Sequence, residues 1–536
     1  MKKLILCVFL IPALAFLGQT GSRPDNWFNL SPDRDSVFGV GTEKSYNELL
    51  GSKRPSTVIV AVLDCGVDYS HEDLKDVMWT NPGEIPANGI DDDKNGYIDD
   101  IHGWNFIGGK DGKNVEFDNL EMTRLYRKLK PLYETADPKK LKDKNQKKEY
   151  SFFLKVKADY YTNLQTYSGN YTPLKDMSSR FTLLNQSVKT QLKIDTVTLT
   201  DLQKYTSSNA SDMKTKLEAM RFLKSGAAAN LSDLINGVNE AFDFYKSYME
   251  YFLNLEYDPR AIVGDDYSNS YERYYGNADC KGPDSFHGTH VAGIIAGKRN
   301  NGIGMNGIAD NVRIMAVRCV PSGDERDKDV ASAIWYAVEN GAQIINMSFG
   351  KKYTWDKKAV DKAIQYAESK GVLLIHGAGN DHMNCDTVPH YPNRKYLEKG
   401  KAENFLEIGA ISWKGNNYLA ADFSNYGKKT VDLFAPGVDI YSTAPENTYK
   451  DASGTSMAAP VVAGVAAVLK SYYPDLSAKD IKTILIKSSL KTQAKHKVHK
   501  PGSEELVEFG SLSQTGGIVN LYEALLLASK FSKIKP

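Results

Sequence analysis

Cysteine is scarce in this chain, at five of 536 residues. That number excludes the small, disulfide-dense class of secreted fold. Four cysteines follow Cys7 and allow three pairings, and free buried thiols are an equally good interpretation because a chain of this size can bury a core without staples. These four are Cys65, Cys280, Cys319 and Cys385.

Net charge is also close to zero. The chain has 67 Lys and Arg against 66 Asp and Glu, a formal charge of +1. Such a balance attracts neither a nucleic-acid backbone nor an anionic membrane surface, so we expect no nucleic-acid partner. Hydrophobic residues at 41% and charged residues at 25% are typical of a globular protein with a sizeable core.

Long apolar runs are absent after the first twenty residues, and we expect no membrane span there. The best candidate, residues 457–469, is too short and is predicted to be a buried helix. At the N-terminus, two lysines precede an apolar run over residues 4–17 that ends in small residues. This pattern predicts a signal peptide over residues 1–18 and export by the Sec route, to the periplasm or the extracellular space. A lipid anchor on Cys7 is not expected.

Several short β-branched runs alternate with helical patterns. The runs cover residues 58–63, 312–317, 343–347, 372–375 and 405–411, and the helical patterns cover 329–339 and 359–370. Continuous apolar runs of this length are typical of strands buried on both faces of a parallel sheet. The alternation predicts an α/β layered domain with a mostly parallel central sheet.

Residues 113–262 differ in composition, being rich in Lys, Tyr, Asn and Ser and poor in strand-like runs. Apolar residues at helical spacing over 118–132 and 231–255 predict a largely helical insertion. The lysine-rich stretch 139–148 is interpreted as a solvated loop. Residues 19–56 are interpreted as a short pro-segment or an N-terminal extension.

Three motifs carry chemistry, although each has a plain alternative. Asp64 ends the first predicted strand before a glycine, His287-Gly288-Thr289-His290 opens a helix of small residues, and Gly454-Thr455-Ser456 precedes an apolar helix. An aspartate before a glycine turn is common. The two histidines could bind metal, although they lack the glutamate and spacing of a metallopeptidase helix. Ser456 alone could be an ordinary helix cap.

Taken together, these motifs resemble the subtilisin-like (S8) serine peptidases, including the chain order Asp, His, Ser. The resemblance implies a three-layer subtilisin-like fold over residues 57–112 and 263–530. It implies that Asp64, His287 and Ser456 form a catalytic triad. The expected function is a secreted serine endopeptidase acting on proteins or peptides through an acyl-enzyme on Ser456. The alternative is a catalytically silent, peptide-binding pseudo-protease.

The same resemblance implies further site residues. Asn380, in Gly377-Ala378-Gly379-Asn380-Asp381, is similar to the family's oxyanion asparagine. Ser348, Phe349 and Gly350 are similar to the family's segment that pairs with the substrate backbone. The insertion separates Asp64 from His287, so we expect it to pack near one rim of the cleft.

Calcium is the expected cofactor, with a structural role. Residues 91–100 place side-chain oxygens at Asp91, Asp93, Asn95 and Asp99, in the alternating pattern of half an EF-hand. His102 stands where an EF-hand needs glutamate, so this is not a true EF-hand, and a metal-free acidic turn is the alternative. A second site, implied by the resemblance, would use Asp73, Asn301 and main-chain carbonyls.

Overall fold

The computed structural model describes residues 23–24, 26–51, 53–492 and 495–534. The predicted signal peptide and Cys7 lie outside the described residues. The four cysteines that follow it are all free thiols, so the second of the two interpretations of their state is the correct one.

Thirteen strands run through the described part of the chain. They are β1 (Val58–Asp64), β2 (Gly103–Asn105), β3 (Val312–Arg318), β4 (Ile344–Met347), β5 (Leu373–Gly377), β6 (Phe405–Ile411), β7 (Leu433–Pro436), β8 (Ile440–Ala444), β9 (Thr448–Ala452), β10 (Leu490–Lys491), β11 (Lys497–His499), β12 (Leu506–Glu508) and β13 (Gly517–Ile518).

Fourteen α-helices accompany them in the same residues. They are α1 (Pro32–Asp35), α2 (Thr42–Ser45), α3 (Glu121–Tyr133), α4 (Lys144–Leu192), α5 (Leu199–Lys204), α6 (Ala210–Lys224), α7 (Leu231–Ser247), α8 (Arg260–Val263), α9 (Phe286–Ala296), α10 (Asp327–Glu339), α11 (Lys357–Ser369), α12 (Thr455–Tyr472), α13 (Ala478–Ser488) and α14 (Leu521–Ile534).

Nine of the strands form one sheet, in the order β10-β13-β7-β6-β5-β4-β1-β3-β2. All of its pairings are parallel except that between β10 and β13. Strand β1 therefore lies between β3 and β4, and the chain passes to opposite sides of it. Such a reversal of strand order opens a crevice at the carboxyl ends of the strands.

Helices cover both faces of this sheet, as the predicted three-layer α/β fold requires. On β1, Val58, Val60 and Val62 belong to the core that includes α9 and α12. The alternate residues Ala61 and Leu63 belong to the core that includes α10 and α11. Side chains on a strand alternate between faces, so an unbroken apolar run is needed where both faces are buried. The five predicted strands and two predicted helices are confirmed, with ends shifted by one or two residues.

Helix α12 is the one helix among the described residues that is long and apolar enough to cross a membrane, and 83% of that stretch is buried inside the protein. Because α12 packs against β4, β5 and β6, the interpretation of residues 457–469 as a buried core helix is confirmed.

The N-terminal segment packs into the same core. Trp27 and Phe28 are 1% and 0% exposed and belong to the cluster that contains α9 and α12. The indole of Trp27 donates to the Val438 carbonyl, and the main-chain N–H of Leu521 donates to the Val40 carbonyl. Residues 26–51 are therefore built into the domain by burial and hydrogen bonds to distant segments.

The region predicted to be a helical insertion is helical from α3 to α8, with two small cores of its own. The prediction of a loop over residues 139–148 is wrong in its second half, because α4 begins at Lys144 and continues to Leu192. The side chain of Asp143 caps this helix by accepting from the N–H groups of Asn145 and Gln146. Lysines suit an exposed helix face as well as a loop, so charge alone did not distinguish the two.

A buried ion cluster joins this region to the part of the chain that contains the central sheet. The Arg326 guanidinium lies 2.6 Å from the Asp118 carboxylate. The Glu121 carboxylate lies 2.9 Å from the guanidinium of Arg124 and 2.7 Å from the ammonium of Lys351. All five side chains are at most 5% exposed. Arg326 and Lys351 come directly after Glu325 and Gly350, which line a cavity described below.

We expect Glu121→Gln to reduce the free energy of unfolding by about 3 kcal/mol, because it breaks a buried ion pair with each of two cations. Arg124 then keeps only Asp118, at 3.4 Å, and Lys351 keeps only Asp327, at 2.8 Å. Burial alone would raise the pKa of Glu121, but Arg124 and Lys351 outweigh it and lower that pKa to about 2. The matched control is Asp176→Asn, which removes an exposed pair with Arg180 and should cost at most about 1 kcal/mol. Urea denaturation of both variants measures the difference, and equal losses would contradict the assignment.

Candidate active site

Asp64 and His287 are brought together at the carboxyl end of β1. The Asp64 carboxylate is 2% exposed, and its Oδ1 lies 2.7 Å from the Nδ1 of His287, the second residue of α9. Gly288 makes this approach possible, since a Cβ there would lie 2.2 Å from the Gly66 carbonyl oxygen. The N–H of Cys65 also donates to Oδ1 at 2.8 Å. One carboxylate oxygen therefore fixes the orientation of the imidazole.

Ser456 is the second residue of α12, and its position depends on Pro460. Proline has no N–H, so the carbonyl of Ser456, four residues earlier, lacks its helical donor. The Ser348 hydroxyl takes that place and donates to the Ser456 carbonyl at 2.8 Å. In return, the Ser456 hydroxyl donates to the Ser348 carbonyl at 3.0 Å. The proton of Ser456 is thus directed to the main chain in this structure and not to His287.

Asn380 lies just beyond the end of β5, and its orientation is fixed from one side. Its Oδ1 accepts from the N–H and the hydroxyl of Thr455, at 2.8 and 3.0 Å. The opposite amide atom, Nδ2, is therefore turned away from Thr455. A Cβ on Gly454 would lie 3.5 Å from this Nδ2 and 3.6 Å from the main-chain nitrogen of Ser456. Both nitrogens therefore lie close to one point, which is 3.7 Å from the Cβ of Ser456.

A cavity of about 300 Å³ adjoins Ser456. Its walls include Ser348, Phe349, Gly350, Asn380 and His390. A second cavity of about 240 Å³ lies on the His287 side and shares Ser348, Phe349 and Val320 with the first. The two cavities lie on either side of these shared residues, in the groove along the segment that follows β4, which is the segment predicted from the sequence to bind substrate.

A model of the subtilase family of S8 peptidases matches residues 56–510. The chain belongs to the subtilase family. It is 42% identical over 186 residues to a thermophilic serine proteinase of Bacillus sp. strain AK1, covering 34% of this chain and 42% of that protein. It is 39% identical over 203 residues to subtilisin DY of Bacillus licheniformis (37% and 68%) and 40% identical over 186 residues to thermitase of Thermoactinomyces vulgaris (34% and 61%).

The matched part of this subtilase thus spans 42% to 68% of the length of these relatives. Two solved structures also match. A protease of Pseudoalteromonas arctica PAMC 21717 is 27% identical, with a TM-score of 0.39, covering 47% of this chain and 78% of its own. A cold-adapted subtilisin-like serine proteinase is 30% identical, with a TM-score of 0.36, covering 46% and 78%.

His290, the second histidine of the His287 motif, is a packed residue of the subtilase core. It is 0% exposed, and its Nε2 lies 3.0 Å from the Lys450 carbonyl oxygen. Burial lowers its pKa to about 4, so the ring is neutral at physiological pH.

The acidic loop over residues 81–100 gathers carboxylates in an arrangement that the sequence did not fully indicate. Oxygens of Glu84, Asp93 and Asp100 all lie within 4.8 Å of one another. The Asn95 amide donates to Asp93 and Asp100 at 3.2 Å each. Glu84 precedes the repeating pattern in the sequence, and Asp100 lies at its end, so spacing alone gave no signal for them.

Asp91 and Asp99 serve the turns of the same loop. Asp91 accepts from the N–H groups of Asn95 and Gly96, at 3.0 and 2.9 Å. Asp99 accepts from the N–H groups of Asn88 and Gly89, at 3.1 and 2.9 Å. Their carboxylates lie outside the cluster of three.

Asp73 and Asn301, the other expected calcium residues, are in contact. The amide nitrogen of Asn301 donates to Oδ1 of Asp73 at 2.5 Å. The Asp73 side chain is 1% exposed, and its Oδ2 is buried without a hydrogen-bond partner. A buried oxygen without a donor is compatible with a bound cation.

The pKa of His287 is raised above its usual range in this subtilase. Burial opposes protonation, but the charge and hydrogen bond of Asp64, with Asp284 nearby, outweigh it. We therefore expect Asp64→Asn to lower the pKa of His287, as followed by NMR of the imidazole protons in Ser456→Ala protein. Asp279→Asn, which removes an exposed carboxylate elsewhere, is the control. An unchanged titration of His287 in Asp64→Asn would contradict the pairing.

Proposed function

We propose that this chain is an exported serine endopeptidase that cleaves peptide bonds through an acyl-enzyme on Ser456. The observation that carries the proposal is the combination of an oriented imidazole with two convergent donors at one serine. Asp64 holds His287 at 2.7 Å, and Asn380 Nδ2 and the Ser456 nitrogen lie 3.5 and 3.6 Å from one point beside Ser456. Family membership over residues 56–510 supports the same reading.

Each step follows from these groups. Ser456 rotates from the Ser348 carbonyl to the Nε2 of His287, which takes the hydroxyl proton as Oγ attacks the substrate carbonyl carbon. The carbonyl oxygen becomes an anion and accepts hydrogen bonds from Asn380 and the Ser456 N–H. His287 then donates its proton to the departing amine. A water molecule, deprotonated by His287, releases the acyl group as a carboxylic acid and restores Ser456.

The substrate is proposed to be an extended peptide or an unfolded segment of a protein. Ser348, Phe349 and Gly350 follow β4 at the groove, and main-chain pairing along such an edge tolerates many sequences. Asp118 and Glu121 of the insertion pair with Arg326 and Lys351, which come directly after Glu325 and Gly350 in the cavity wall. We infer that the insertion borders one rim of the groove and limits the access of bulky folded substrates.

A catalytically silent peptide-binding protein is the second candidate, because the Ser456 hydroxyl donates to Ser348 and not to His287. Reaction with a fluorophosphonate probe separates the two functions. We expect labelling of the wild-type chain, no labelling of Ser456→Ala, and no effect of a chelator over short times. Lack of labelling in a folded wild-type chain would favour the silent protein, and labelling that survives Ser456→Ala would exclude Ser456 as the nucleophile.

Peptide hydrolysis by the Asn380→Ala variant tests the role of the two donors beside Ser456. We expect kcat for a peptide substrate to fall about 10²–10³-fold, the usual loss for one donor of an oxyanion hole, with KM changed little. Asn393→Ala is a matched control, because this amide donates to the His390 carbonyl and does not face Ser456. An Asn380→Ala variant with unchanged kcat would contradict the proposed role.

Structural Ca²⁺ is proposed at two places. Glu84, Asp93 and Asp100 supply carboxylate oxygens at the first, beside Asn95. Asp73 supplies them at the second, beside Asn301 and with main-chain carbonyls, and such oxygen ligands suit Ca²⁺. When bound, the ion would neutralise clustered carboxylates and hold their loops. Export by the predicted signal peptide, to the periplasm or beyond the cell, is part of the same proposal.

We expect the melting temperature to rise with added calcium and to fall in EDTA, because an ion that binds only the folded state stabilises it by about 2.7 kcal/mol at 100 times its Kd. Asp93→Asn should weaken the response. Asp266→Asn, an exposed acid outside both clusters, should not. Identical melting of the wild-type chain in EDTA and in calcium would end the calcium proposal.

A further inference from the structure

Behind the cavity wall lies a group of side chains that the proposed hydrolysis does not use. His376, His390 and Glu407 each offer one ligand atom, and these atoms all lie within 4.8 Å of one another. His376 and Glu407 are 0% and 6% exposed. They are direct neighbours in the register of β5 and β6, while His390 reaches them from the loop before the Tyr391–Pro392 peptide bond.

His376 has the hydrogen-bond pattern of a metal-binding histidine. Its Nδ1 faces the cluster and lies 2.9 Å from the Glu407 Oε1. Its Nε2 lies 2.7 Å from the Phe349 carbonyl oxygen, an acceptor only, so Nε2 carries the proton and donates it. Histidine ligands usually donate their second ring N–H to a carbonyl or carboxylate, which fixes the tautomer and the ring orientation. Nδ1 is the ring nitrogen on the side of the cluster, and a metal ion would replace the proton that this nitrogen shares with Glu407.

His390, the third member of the cluster, carries an unsatisfied ring nitrogen. Its Nδ1 is buried and has no hydrogen-bond partner, and its ring centre lies 5.5 Å from that of His376. A buried polar atom left unpaired costs about 1–3 kcal/mol.

Glu407 is held in place by groups outside the cluster. Its main-chain N–H donates to the Asp432 carboxylate at 2.9 Å, and Asp432 in turn pairs with Arg394 at 2.6 Å. The charges of Asp432 and Arg394 compensate each other. The Glu407 carboxylate therefore remains as the uncompensated negative charge next to the two imidazoles.

We propose that His376, His390 and Glu407 form a binding site for Zn²⁺ or a similar transition-metal ion. Two imidazole nitrogens and one carboxylate oxygen are a common zinc ligand set, with a fourth position for water. Metal–ligand distances of about 2.0–2.2 Å place tetrahedral ligand atoms roughly 3.3 Å apart. The 2.9 Å between His376 and Glu407 is close to that value, and the His390 ligand atom, within 4.8 Å of both, has to move closer to them when the ion binds. Calcium fits poorly, since it prefers six to eight oxygens.

The site would act on the wall of the cavity beside Ser456. A Cβ on Gly350 would lie 2.1 Å from the Cε1 of His390, so this ring forms part of the wall, and His376 holds the Phe349 carbonyl behind it. A bound ion would therefore fix both segments and restrict the side chains that the cavity admits. The binding itself does not depend on hydrolysis.

The test uses full-length Ser456→Ala protein, stripped with chelator and then supplied with excess Ca²⁺ to fill oxygen sites. Co²⁺ is titrated and its visible absorption recorded, and Zn²⁺ is then added as a competitor. We expect one equivalent of Co²⁺ with the intense bands of four-coordination, displaced by Zn²⁺. His390→Ala should weaken the affinity at least about 10-fold, as the loss of a group that supports a metal site commonly does.

His382→Ala is the matched control, because this half-exposed histidine lies on the same loop and pairs with Asp422 away from the cluster. Glu407→Gln, which keeps the shape of the side chain, repeats the test in case His390→Ala does not fold. Absence of the four-coordinate spectrum in the parent protein would overturn the proposal. So would affinity that is unchanged in a folded His390→Ala or Glu407→Gln variant, or lowered equally by His382→Ala. None of these outcomes bears on whether Ser456 is a nucleophile.

Discussion

The order of the parallel strands around β1 is the constraint on which the site depends. Strands β5, β4 and β1 are neighbours, and all three run in the same direction. Asn380, Ser348 and Asp64 follow or end these strands, so their backbones emerge side by side at one edge of the sheet. The helices that begin at this edge, α9 and α12, need only place one residue each, His287 and Ser456. Gly288 leaves room for the approach of α9 to Gly66, since a Cβ there would lie 2.2 Å from the Gly66 carbonyl oxygen.

The contact between Ser348 and Ser456 explains the resting state. Pro460 leaves the Ser456 carbonyl without a helical donor, and the two serines exchange hydrogen bonds at 2.8 and 3.0 Å. One such neutral bond contributes about 0.5–1.5 kcal/mol. That is small beside the many kcal/mol by which enzymes lower barriers, so a bound substrate can turn the hydroxyl toward His287 at little cost. The same two hydrogen bonds hold the segment after β4 next to Ser456.

The sequence predicted those features that continuous local patterns encode. Apolar runs such as 58–63 predicted the buried strands because both faces need apolar residues. The motifs around Asp64, His287 and Ser456 identified residues at the ends of strands and the starts of helices, and their catalytic roles stay predictions. Features made by distant residues had no such signal. The pairing of His376 with Glu407 depends on the register between β5 and β6, and the ion cluster of Glu121 and Lys351 joins positions that are 230 residues apart.

Two further differences have physical causes. The start of helix α4 was predicted to be a loop because six buried residues are spread over its 49 positions. Its apolar stripe is therefore thin, and its lysine-rich start has the composition of a loop. In the acidic loop, the spacing suggested Asp91 and Asp99 as calcium ligands, whereas their carboxylates accept hydrogen bonds from the turns. Folding places Glu84 and Asp100 next to Asp93 instead. A linear pattern gives the available oxygens, and the turn geometry decides which of them meet.

The most direct test of the account is a crystal structure of the chain with a peptidyl boronate, which mimics the tetrahedral adduct. We predict a bond from Ser456 Oγ to boron, one boronate oxygen about 2.7–3.1 Å from both Asn380 Nδ2 and the Ser456 nitrogen, and His287 Nε2 within hydrogen-bonding distance of the adduct. An adduct on another residue, or a boronate oxygen that meets neither donor, would contradict it.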